Sequence, residues 1–100
     1  MSTNLITNVF PSIDKFDGKN FHIWKIRMQM LLQERGLWSI VTGDEKEPKT
    51  PPEAIQEYQK RETKAFNAIC MNVKDSLLTQ VYAGKTAQKA WDSSEKMFQT

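Results

Sequence analysis

The chain has 100 residues, 39% of them hydrophobic and 26% charged, with a formal net charge of +2. That length suits one domain with a modest core, and three tryptophans with five phenylalanines argue against wholesale disorder. So mild a positive balance argues against a dedicated nucleic-acid surface, and a single cysteine excludes an internal disulfide framework.

Residues 1–8 are polar and short of helix formers. Val9, Phe10, Ile13 and Phe16 are spaced through a segment that Pro11 breaks, and the proline pushes Phe10 toward extended geometry. The expectation is a flexible arm over residues 1–12, laid in extended form over a helical domain of residues 13–100. Asp17-Gly18 supplies a turn, Asn20 is placed to cap the helix that follows, and Phe16 to staple its entry. From Phe21, the residues Phe21, Trp24, Met28, Leu31 and Leu32 fall at spacings that share one helical face. Ile23, Ile26 and Met30 add a second stripe. So wide an apolar surface predicts a helix central to the core. Gly36 is placed to end it in the left-handed conformation; Leu37, Trp38, Ile40 and Val41 form a short apolar turn closed by Gly43.

A loop dense in charge and proline follows, from Asp44 to Pro52. Thr50 is a capping candidate with Glu53 at the capping-box position, and proline suits the first helical turn. The next helix carries Ile55, Tyr58, Ala65, Phe66, Ile69 and Val73 on one face and charges on the other. Asp75-Ser76 caps or kinks a further helix with Leu77, Leu78, Val81 and Tyr82, which Gly84 ends. Thr86 then caps a last helix carrying Ala87, Ala90, Trp91, Met97 and Phe98. Its apolar stripe still runs at Thr100, the pattern expected of a piece of a longer protein. No hairpin signal interrupts the helical periodicities. The fold class is therefore all-α: about five helices in a small bundle with an extended N-terminal arm.

No catalytic constellation can be assembled. One histidine and one cysteine are too few for a metal site of the usual kind, and the isolated glycines form no phosphate-cradling loop. Neither a cofactor nor a metal is therefore expected. Cys70 sits in an apolar helical pattern and reads as a small buried hydrophobe. Trp24, Met28, Trp38 and Trp91 invite comparison with a ligand pocket, but at helical spacing they read as core. No apolar run approaches the roughly 20 residues of a membrane span, and the N-terminus lacks a signal-peptide pattern. The chain reads as intracellular, with no membrane partner. Five short helices offer more apolar surface than so small a bundle covers, which points to contact with downstream sequence or other copies.

Phe16-Asp17-Gly18, Asn20-Phe21, Trp24, Met28 and Leu32, then Leu37-Trp38 and Val41, resemble the opening of Gag polyproteins from copia-type LTR retrotransposons. Ala65, Ile69, Thr86-Ala87, Ala90-Trp91 and Phe98 resemble the later part of the same pattern more loosely. The resemblance covers roughly residues 13–100. Ser94 departs from it, standing where leucine is usual; facing a core, it would need a hydrogen-bond partner or leave a small void. The zinc knuckle that such Gags carry downstream is absent from this chain. The resemblance implies a retroviral-capsid-like N-terminal lobe that self-associates into cytoplasmic virus-like particles packaging element RNA. RNA contact is then expected through regions outside this chain, with the downstream Gag lobe as a further partner. A host gene derived from such a Gag would read the same way.

The leading expectation is thus a structural assembly domain. Its self-contacts are expected on the N-terminal arm with Val9, Phe10 and Ile13, on the loop Asp44 to Pro52, and on the final helix, rather than on the two central helices. The rivals are a nucleic-acid-binding module using Lys15, Lys19, Lys25, Arg27 and Arg35, and an adaptor that docks a partner helix in an apolar groove. Lys25 and Arg27 lie about 200° apart around a helix, which disfavours the first rival.

Overall fold

A computed structural model describes residues 14–17 and 19–99, with side chains to residue 97. Five helices follow in order: α1 Phe21–Glu34, α2 Trp38–Thr42, α3 Pro52–Cys70, α4 Asp75–Tyr82 and α5 Ala87–Gln99. No strand occurs among the described residues, and the architecture is an all-α small bundle. α5 is the element the others gather on, packing against α2, α3 and α4.

The chain before α1 is fixed by an isolated parallel bridge between Phe16 and Val73. The Phe16 amide donates to the Asn72 carbonyl at 2.8 Å, and the Lys74 amide donates back to the Phe16 carbonyl at 2.9 Å. This clasp lets Phe16 bury completely and places its ring 5.4 Å from Phe21 and 5.0 Å from Trp24. The staple expected of Phe16 is therefore present. The clasp also corrects the sequence reading of Val73, which lies beyond the end of α3 and is buried in the bridge rather than along the helix.

The helix ends divide into those that local chemistry predicts and those it does not. Gly36 (φ 69°) and Gly43 (φ 86°) both take the left-handed conformation expected of them. Asn20 occupies the cap position of α1, yet its side chain bonds no helix amide. It turns backward: Oδ1 accepts from the Asp17 amide at 3.1 Å, and Nδ2 donates to the Lys15 carbonyl at 3.1 Å. The Asp17 carboxylate reciprocates by accepting from the amides of Lys19 (2.8 Å) and Asn20 (3.2 Å). The preceding turn thus outcompetes the helix for this side chain. Thr50 is not a cap either, because α3 begins at Pro52 with Pro51 at the cap position and no side-chain capping bond.

α4 ends before Gly84, as expected, with Ala83 at the cap position. The left-handed residue is Lys85 (φ 70°), not Gly84. A Cβ at Gly84 would be crowded, lying 3.0 Å from the carbonyl carbon and Cβ of Lys89 and 3.1 Å from the Ala90 amide nitrogen. Thr86 does cap α5, its Oγ1 accepting from the Lys89 amide at 3.2 Å. The Ala87 amide is satisfied from a distance by Glu62 of α3, whose Oε2 accepts it at 2.7 Å.

Candidate assembly surface

One face of α1 is locked into the domain. Phe21, Trp24, Met28 and Leu32 are buried on it, in one cluster with Phe16, Leu37, Val41, Ala65, Ile69 and Trp91. The Trp24 ring stacks on Trp91 at 5.5 Å, and Trp38 meets Trp91 edge-on at 5.2 Å while remaining half-buried. The Trp24 indole also donates to the Asn72 carbonyl at 2.8 Å. Trp24, Met28, Trp38 and Trp91 are therefore core, in one aromatic stack or directly against it. Ser94 is fully buried and donates to the Ala90 carbonyl of its own helix at 3.1 Å, so the departure from leucine leaves no unpaired hydroxyl. Gly18, the Phe98 side chain, Val9, Phe10 and Ile13 lie outside the described residues.

The opposite face of α1 carries Ile23, Ile26 and Met30, which are 58%, 56% and 60% exposed. At 100° per residue the three fall within about 60° of one another, and their centre lies about 170° from the buried stripe. This overturns the expectation that α1 is enclosed: its two apolar stripes are separated by the full width of the helix, and neighbours cover only one. Because they oppose, α1 has little net amphipathic bias. Three uncovered aliphatic side chains in register form a contiguous patch, whereas singly exposed hydrophobes are commonplace. Among the described residues Met71 and Tyr82 are the other large exposed hydrophobes, on separate elements.

Charge around α1 is partly committed to the domain. Lys25 pairs with Glu95 of α5 at 3.3 Å and lies 5.6 Å from the Phe21 ring centroid, closing one edge of the α1–α5 contact. The loop Asp44 to Pro52 is tied to α3 through Glu45 and Glu47. Arg61 donates to both carboxylate oxygens of Glu45 and to the Gly36 carbonyl, Ser39 donates to Glu45 at 2.9 Å, and Gln59 donates to Glu47 at 3.0 Å. The bonds from Arg61 and then Ser39 hold the Glu45 carboxyl below its ordinary range, and the bond to Glu45 raises Arg61. Burial pushes the Cys70 thiol up, as its reading as a hydrophobe requires. Among the described residues no His, Cys, Asp and Glu side chains gather as a metal site, and no helix is long and apolar enough to cross a membrane.

Sequence reasoning singled out Ile23, Ile26 and Met30 but placed them inside. It missed Glu62, Arg61 and Asn72, whose partners are distant in sequence.

The described residues thus form a small all-α unit with a filled aromatic core and an uncovered apolar face on α1. The model of the gag-polypeptide of LTR copia-type matches residues 28–100, and the chain belongs to that family. No curated protein and no solved structure matches it. The match runs from the middle of α1 through α5, so it includes the second half, where the motif resemblance was looser. Membership of that family supports a Gag structural role in general.

Proposed function

We propose that this chain self-associates as a building unit of retrotransposon virus-like particles that package element RNA. One observation carries the reading: the uncovered Ile23–Ile26–Met30 stripe, held rigidly outward because the other face of α1 is anchored by Trp24 and Met28. A rigid apolar patch of a few hundred Å² suits a weak contact that gains strength by repetition. RNA is then held mainly by sequence outside these residues, in keeping with a net charge of only +2 here.

Sedimentation velocity over a wide concentration range, at low and high salt, tests this. Reversible dimers or larger species that persist in high salt are expected of apolar contacts. Strict monomers throughout, or steeply salt-dependent RNA binding by the chain alone, would move the function elsewhere.

A further inference from the structure

We infer that the α1 stripe pairs with the α1 stripe of a second copy in antiparallel register, about a two-fold axis near Ile26. The inference rests on the self-association proposed above and names its surface and geometry. The occupant follows from the pattern itself. Ile23, Ile26 and Met30 are centred close to position 26, so reversing one copy sets Ile23 against Met30 of the other and Ile26 near its counterpart. The surface is thus complementary to itself, as an isologous contact requires.

Charge supports the same direction. Lys19 stands just before α1 and Glu34 in its last residue, both exposed and neither ion-paired among the described residues. In an antiparallel pair centred near Ile26 each Lys19 approaches Glu34 of the second copy, and the pairing occurs twice. A parallel pair would set Lys19 on Lys19 and Glu34 on Glu34. Opposed helix dipoles favour the antiparallel arrangement as well.

The area fixes the strength. Three half-exposed side chains supply a few hundred Å² per copy, short of the roughly 800 Å² per partner of a stable complex. The contact is therefore weak alone and serves as one of several in a lattice.

The test uses the full chain carrying Ile23→Cys or Met30→Cys, mixed under mild oxidation, with the wild-type chain and its buried Cys70 as background. Antiparallel pairing predicts mixed disulfides in several-fold excess over either homodisulfide, because only facing positions reach bonding distance. It also predicts that Lys19→Glu and Glu34→Lys each weaken self-association, and that an equimolar mixture of the two variants restores it. A mixed product no more than about twice either homodisulfide, the proportion random collision gives in an equimolar mixture, would overturn the register. Wild-type self-association unchanged by both charge variants, with no cross-linking, would overturn the surface while leaving self-association standing. Loss of self-association on Phe10→Asp but not on Ile26→Asp would hand the contact to the N-terminal segment and equally overturn it. A wild-type chain monomeric at every concentration would remove the underlying reading itself.

Discussion

The Trp24 indole Nε1 donates to the Asn72 carbonyl oxygen at 2.8 Å, and the same oxygen accepts the Phe16 amide at 2.8 Å. One carbonyl thus joins the segment before α1, the buried face of α1 and the α3–α4 turn. Trp24→Phe keeps most of the ring stack and removes the indole donor. It should cost about 1–3 kcal/mol, from the lost bond and the residual cavity together. Urea denaturation measures this, and an unchanged midpoint would show that the indole bond contributes nothing.

The Arg61–Glu45 pair predicts a direction with pH. Glu45 titrates below its ordinary range in the folded chain, chiefly through its bond to Arg61, so its stabilisation is present at neutral pH. It is lost as pH falls through the lowered folded value. Asp17, held down mainly by the Lys19 amide, acts in the same sense. Because the Glu45–Arg61 side chains are 36% and 27% exposed, Glu45→Gln should cost only about 0.5–1 kcal/mol at pH 7. The variant should also lose less stability than wild type between neutral and acidic pH, read from thermal melts.

At the α4–α5 turn two neighbouring substitutions should act in opposite directions. Gly84→Ala forces a Cβ against the Lys89 and Ala90 backbone and should destabilise by about 1–3 kcal/mol. Lys85→Gly relieves a left-handed lysine and should stabilise by about 0.5–1 kcal/mol after the added freedom of the unfolded chain is subtracted. Chemical denaturation of both variants checks the pair.

Glu62 caps α5 from α3 across 25 residues of sequence. Glu62→Ala should cost about 1 kcal/mol. Glu62→Gln, which keeps an acceptor oxygen, should cost less. Amide hydrogen exchange at Ala87 reads the effect locally: faster exchange is expected in the alanine variant.

These distant ties explain what the sequence could and could not disclose. The helices of Phe21, Ala65 and Trp91 were legible because apolar spacing and glycine stops are local signals, and four of the five residues read as the inner stripe of α1 are buried, Leu31 being only partly so. The Trp24–Asn72, Arg61–Glu45 and Glu62–Ala87 bonds join residues 48, 16 and 25 positions apart, and no periodicity encodes such pairings. Asn20 misled because Asp17 offered its side chain a nearer partner. The outer stripe misled for a deeper reason. Spacing reports that Ile23, Ile26 and Met30 share a face, but not whether another helix covers it. In this chain the family motif follows the buried face, and the candidate site lies on the other.

The most direct measurement is sedimentation equilibrium of the wild-type chain beside Ile26→Asp at matched concentrations. Ile26 is half-exposed, so the substitution should leave the melting temperature nearly unchanged. A contact through the outer face of α1 predicts a wild-type mass that rises with concentration. The variant should remain monomeric over at least about a tenfold higher range, since association would bury an unpaired carboxylate. Equal masses for the two chains at every concentration would contradict it.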